Sequence, residues 1–172
     1  MFTPALGVLY VATFVAVEDL EIAHLFCQTG GTQSGAGATL QRMALLEMGS
    51  GSGGRAFTMV ARTANDTSTF LVAQDTMYSR AFDTAGGYPA SYVLTPGQRY
   101  GIGFLIVGNS TRPTVICTAG KTNQTFLSGT ASSTLTWLDF CQASSLGSQT
   151  DIPTSGTLNS SIGVVPWFGC SI

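Results

Sequence analysis

Charge is what this chain has least of. Of its 172 residues, 7 are Lys or Arg, 9 are Asp or Glu and one is His, so 9% are charged, against about 25% in an average globular protein. A nucleic-acid binder needs clustered cations to displace counterions. Here Arg42, Arg55, Arg62, Arg80, Arg99, Arg112 and Lys121 are scattered, and the net charge is −2, so nucleic acid is not an expected partner. Catalytic groups are as sparse. The single histidine, His24, stands in no register with a Ser, Asp or Cys that nucleophilic catalysis would use. Glu18, Asp19 and Glu21 make the only acidic cluster, at the entry to a strand pattern, where carboxylates usually mark a solvated turn. No carboxylate pair stands out for general acid–base work. The expectation is a protein that is not an enzyme and carries no cofactor and no metal.

Other absences narrow the class further. Cys27, Cys117, Cys141 and Cys170 contain no C-x-x-C pair, so a zinc site with the usual spacing is unsupported. All four lie in or beside apolar runs, where a free thiol behaves as a small hydrophobe; disulfides stay open if the chain matures in an oxidising compartment. Glycine pairs occur at Gly30-Gly31 and Gly86-Gly87, but no Walker pattern and no G-x-G-x-x-G leads from a strand into a helix. The apolar run at 6–17 is too short to span a bilayer as a helix and lacks the basic region of a secretory signal. It reads as a buried strand, and no membrane insertion is expected. No helical stripe and no 20-to-50-residue repeat is present. Four N-x-S/T triplets, at Asn65, Asn109, Asn123 and Asn159, matter only in a protein secreted by a eukaryote.

What is present is period two. After the turn Thr95-Pro96-Gly97, Tyr100, Ile102, Phe104 and Ile106 fall on one face, with Arg99, Gly101, Gly103 and Leu105 on the other. That is the repeat of a strand with one face on a core. Gly101 and Gly103 suit the close approach of a neighbouring backbone or aromatic ring. Further strands are expected over 8–15, 19–27, 38–48, 57–61, 78–82, 92–94, 114–118, 135–141 and 162–168. In 19–27, His24 shares parity with Ile22 and Phe26 and reads as a packed or interface residue. Segment 70–76 suits a helical turn or an extended stretch. Gly49–Gly54 is a hairpin tip, and 144–160, poor in apolar residues, reads as a long surface loop or arm. Pro166 marks an edge position or a strand end. Short strands with a turn signal every ten or so residues predict an all-β, antiparallel β-sandwich, jelly-roll-like, with residues 1–172 as a single domain. A chain this long buries about 70% of its unfolded surface and needs no metal or disulfide to fold.

The remaining functional candidates are large aromatic residues. Tyr88, Tyr92, Trp167 and Phe168 are candidate glycan or interface contacts, because such rings stack on sugars and anchor protein interfaces. Trp137, between Leu135 and Leu138, reads as core.

Several stretches together resemble one family. They are Gly7-Val-Leu-Tyr-Val-Ala-Thr-Phe-Val-Ala16 leading into Leu20-Glu-Ile-Ala-His24, then Gly35-Ala-Gly-Ala-Thr-Leu-Gln-Arg-Met-Ala-Leu-Leu46, Thr63-Ala-Asn-Asp-Thr67, Leu94-Thr-Pro-Gly-Gln-Arg-Tyr-Gly-Ile-Gly103, and Arg112-Pro-Thr114. Over most of 7–118 the chain resembles the β-sandwich modules of tailed-phage virion proteins, especially minor tail proteins of actinobacterial phages. The resemblance implies a jelly-roll-like sandwich on the virion surface, assembled in the host cytoplasm. Its implied partners are other virion proteins, further copies of itself and a host cell-surface glycan. Such modules often sit behind an attachment domain in longer tail proteins, whereas here the strand pattern begins at once. A capsid decoration or head-fibre protein, and a carbohydrate-binding module, are the alternatives.

Overall fold

The computed structural model describes residues 1–34, 36–49, 55–108, 111–119, 141–144, 149–158, 160–161, 164–166 and 168–171. For 117–119, 141–144, 160–161 and 164–166 it describes the backbone only. Every regular element among these residues is a strand, and every pairing is antiparallel. In chain order they are β1 (Leu9–Val15), β2 (Leu20–Ile22), β3 (His24–Gln28), β4 (Leu40–Met48), β5 (Ala56–Arg62), β6 (Met77–Ala81), β7 (Tyr92–Leu94) and β8 (Arg99–Val107). There follow β9 (Cys117–Ala119), β10 (Cys141–Ser144), β11 (Ser155–Thr157), β12 (Ser160–Ser161), β13 (Val164–Pro166) and β14 (Phe168–Ser171). One seven-stranded sheet, ordered β11-β5-β4-β8-β1-β10-β12, forms the main layer. The smaller sheet β14-β3-β6 and the ribbon β2-β7 contribute the core residues opposite it. The fold is all-β and β-sandwich-like.

Strand β8 lies at the centre of the large sheet, between β4 and β1. Tyr100, Ile102, Phe104 and Ile106 face the main core with Met43 and Leu45 of β4, and Leu25 and Cys27 of β3. The reading of a strand with only one covered face is corrected here: all of β8 between its two end residues is buried. On the second face Leu105 joins Leu9, Val11, Leu40, Ala44, Leu46, Met48, Phe57 and Met59 in another apolar cluster, capped by Ile152 and Leu158. Gly101 and Gly103 do serve close approach, but their neighbours are aliphatic side chains. A Cβ on Gly101 would stand 2.6 Å from Val11 Cγ1, and one on Gly103 3.1 Å from Leu9 Cδ1.

The alternating stretch 19–27 is two strands in two sheets. Leu20–Ile22 pairs with β7, and His24–Gln28 pairs with β6 and β14. Between them, the Ala23 N–H donates to Ser171 O and its carbonyl accepts from Phe82 N, both at 2.8 Å. The break shifts the parity by one. Ile22, Leu25 and Cys27 are fully buried, and His24, Phe26 and Gln28 occupy the other, half-buried side. His24 therefore does not share a face with Ile22. Phe26 lies directly against its cross-strand partner Gly169, where any Cβ would collide with the ring.

Segment 70–76 forms neither a helical turn nor a strand. Phe70 and Leu71 are fully buried, and Leu71 and Asp75 take φ of 63° and 48°. Within 144–160, Ser155–Thr157 adds to the edge of the large sheet beside β5, and Ile152 and Leu158 are buried. Pro166 is the last residue of β13, opposite Cys117. The hairpin tip at 50–54 and most of the expected strand 135–141, with Trp137, lie outside the described residues.

Candidate functional site

The sequence-named aromatics are spread over the fold. Phe168 is half-buried in the main core, its ring 5.6 Å from that of Phe104. Tyr92 is half-buried at the end of the large sheet where β8 begins. Its hydroxyl donates to Glu47 Oε2 at 3.0 Å, and its ring lies 6.0 Å from that of Tyr100. Burial, then the bond to Glu47, pushes this phenol above its usual range. Tyr88 packs on the other side of the large sheet, against the second apolar cluster. Trp167 lies outside the described residues.

At Tyr88 the fold assembles charges that are far apart in sequence. The β4–β5 hairpin places Ala44 opposite Arg62. Arg42, two residues before Ala44, therefore shares its sheet face with Arg62. Both guanidiniums turn to one carboxylate oxygen: Arg42 Nη1 is 2.5 Å and Arg62 Nη1 3.7 Å from Asp151 Oδ2. Asp151 belongs to the segment that runs into β11, held by a bond of 2.8 Å from Met59 N to Thr154 O. Its other oxygen accepts from Ile152 N at 2.7 Å. Arg62 Nη2 donates to Ala85 O at 3.3 Å, and its guanidinium lies 4.9 Å from the Tyr88 ring centre, within cation–π range.

The charges in this cluster do not balance. Among the described residues, two cations meet one anion beside an apolar core. The side chain of Arg42 is 8% exposed and that of Arg62 19%, whereas Asp151 is 44% exposed. The Nε atoms of Arg42 and Arg62 are both buried without a hydrogen-bond partner. Such an arrangement is suited to holding a planar anion, since a guanidinium presents its donors as a fork that matches a carboxylate.

A second polar cluster fastens a loop. Asp66 accepts from Ser68 N at 3.0 Å, Thr69 N at 2.8 Å and the hydroxyl of Thr69, and pairs with Arg80 Nη2 at 3.0 Å. Arg80 in turn covers the rings of Phe70 and Tyr78 at 5.1 and 5.5 Å. Burial alone would raise the Asp66 carboxyl, but the Thr69 and Ser68 hydrogen bonds and the Arg80 charge outweigh it and hold the group below the usual carboxylate range. A carboxyl lowered on folding stabilises the fold fully above its unfolded value, near about pH 4, and that contribution is lost as the pH falls toward the folded value. Asp66→Asn is therefore expected to lower the urea midpoint at neutral pH and to flatten its decline on acidification. An unchanged acid limb would contradict this role. Neighbouring Asn65 uses both ends of its amide, donating to Thr39 O and accepting from Gln41 N at 3.0 Å each.

Cys27 and Cys170 are free thiols. Burial pushes Cys27 up to about 12 against the opposing Arg80 charge, and burial also raises Cys170. Both thiols stay protonated and poorly nucleophilic while folded. No group of three or more His, Cys, Asp or Glu that could hold a metal occurs among the described residues. No protein-family model matches the chain, and no curated protein matches its sequence.

Arg42, Arg62 and Asp151 make up the candidate site that sequence reasoning missed. The signal was Arg42 itself, one charge inside Leu-Gln-Arg-Met-Ala-Leu-Leu, where a buried cation demands a partner. The partner lies 109 positions away.

Proposed function

We propose that this chain is a non-enzymatic structural module of a tailed-phage virion, a minor tail or tail-tip component displayed on the particle surface. In this reading it docks through neutral β-surfaces onto further copies of itself and onto other virion proteins. The family resemblance over 7–118 supports the setting, and the low charge supports docking, because a nearly neutral surface resists association weakly.

The observation that carries the reading is exposed aliphatic side chains on the segments next to the Thr95–Gln98 turn. Val17 is 88% exposed, Val93 54% and Val15 37%. Val15 ends β1 opposite Arg99, Val17 follows it, and Val93 sits in β7 opposite Glu21, just before the Thr95–Gln98 turn. Val15 shares its strand parity with Leu9 and Val11 of the second cluster, and Val93 points away from the main core between Tyr92 and Leu94, so apolar surface is exposed on both layers beside this turn and is available to a partner.

Sedimentation velocity tests this. The chain is expected to sediment as an oligomer at micromolar concentration, and Val17→Asp with Val93→Asp is expected to shift it to monomer without loss of the β circular-dichroism signal. A wild-type chain that stays monomeric at high concentration would overturn self-assembly. Immunogold labelling of intact particles would place the protein on tail or head, and absence of label from particles would overturn the virion setting.

A further inference from the structure

We propose that Arg42 and Arg62 form a carboxylate-binding site that the chain's own Asp151 fills when no ligand is present, and that the ligand is an acidic sugar residue of the uronate type. The proposal deepens the reading of the chain as a module displayed on the particle surface and rests on it. Its basis is the imbalance described above: two guanidiniums converge on one oxygen of a single, well-exposed carboxylate, and the more buried cation has a donor with no acceptor. Asp151 is also the member of the cluster most accessible to competition, carried on a segment at the sheet edge rather than on a central strand.

The surroundings favour a sugar as the carrier of the competing carboxylate. Arg62 links the ion cluster to the Tyr88 ring. Beyond them, residues 84–87, 89 and 90 form an exposed loop, and Gly86 and Gly87 adopt φ of 80° and 84°. A Cβ on Gly87 would meet nothing within 4 Å, so the backbone there is open to an approaching group. A guanidinium beside an aromatic ring and an open polar backbone matches a pyranose ring that bears hydroxyls and one carboxylate. The carboxylate would exchange with Asp151 on the two arginines, releasing Asp151 to water, with no bond made or broken covalently.

The test is a titration of the full chain with sodium glucuronate, followed through the arginine Nε–H resonances in an NMR spectrum. Glucose, sodium chloride at equal ionic strength and a short polyglutamate peptide serve as separate arms. Glucuronate is expected to shift the Arg42 and Arg62 signals saturably, while glucose and chloride do not. Asp151→Asn removes the internal competitor and is expected to tighten binding at least about tenfold, the factor that follows if Asp151 fills the site about nine-tenths of the time or more. Arg62→Gln, which leaves the closer Arg42–Asp151 pair in place, is expected to abolish the shift. A response to chloride equal to that with glucuronate would overturn the site, as would no tightening in Asp151→Asn. Binding of polyglutamate but not glucuronate would overturn the sugar assignment. Should Asp151→Asn fold poorly, the wild-type titration and Arg62→Gln still decide. A chain that fails here but sediments as an oligomer loses this site alone. A monomeric chain that binds glucuronate keeps the site and loses the self-assembly reading.

Discussion

Replacing Phe104 by Ala is expected to lower the stability of the folded chain by about 3–5 kcal/mol, the usual cost of emptying a fully buried phenylalanine site. For a domain of this size that corresponds to a fall in melting temperature of roughly 6–20 °C. Phe104 has no exposed surface and sits mid-strand in β8, opposite Tyr10 on one side and Met43 on the other. Its ring lies 6.4 Å from Phe70 and 5.6 Å from Phe168, centre to centre. It thus joins the large sheet to β14 and to the 70–76 segment in one contact. Collapse around the vacancy is restricted, because β8 is hydrogen-bonded on both edges. Urea denaturation measures the loss as a lower midpoint with the slope preserved. Met77→Ala, at a side chain 63% exposed, provides the control and is expected to stay within about 0.5 kcal/mol. A Phe104→Ala cost below about 1.5 kcal/mol would mean that Phe104 is not packed as described.

The reach of the sequence is uneven for reasons visible in particular residues. β1, the β4–β5 hairpin and β8 were legible because each pairs a clear apolar run with a glycine or proline turn. The second covered face of β8 was not, since its residues at 101 and 103 are glycines. The volume over them is filled by Val11, Leu9, Leu46 and Met48 from other strands, so the strand's own alternation understates its burial. The break at Ala23 was hidden because no glycine or proline turn marks it within 19–27. Only the tertiary bonds of Ala23 to Ser171 and Phe82 turn the chain from one sheet to the next. Segment 144–160 is poor in apolar residues, yet two well-placed ones, Ile152 and Leu158, cap the second cluster. The candidate aromatics could be named from size alone, but not where each would sit. Tyr88 is set apart by its contact with Arg62, and that contact depends on hairpin register and on a segment distant in sequence. Scattered arginines exclude a basic stripe; they do not exclude two of them meeting across one hairpin.

The two members of the Arg42–Asp151 pair are expected to respond very differently to removal. Asp151→Ala takes away the only carboxylate within ion-pair distance of Arg42 among the described residues and leaves a guanidinium that is 8% exposed beside an apolar cluster. Stranding a buried charge in this way costs about 3–5 kcal/mol, and the partial hydration of this site places the expected loss near about 3 kcal/mol. Arg42→Met removes the buried charge and leaves an aspartate that is 44% exposed, already partly solvated, with Arg62 still 3.7 Å away. The methionine side chain falls opposite Leu105 and on the same face as Leu40 and Ala44. The expected cost is therefore within about 1 kcal/mol, or a small gain. In the Arg42→Met background, Asp151→Ala should then cost little further, so the two changes are coupled by about 2 kcal/mol or more. Urea unfolding of the four species at neutral pH gives this cycle directly. Equal costs for the two single changes would mean that Arg42 is hydrated rather than sealed. The same result would weaken the case for an exchangeable carboxylate at the site, because competition matters there only if the arginine pair must always be neutralised by something.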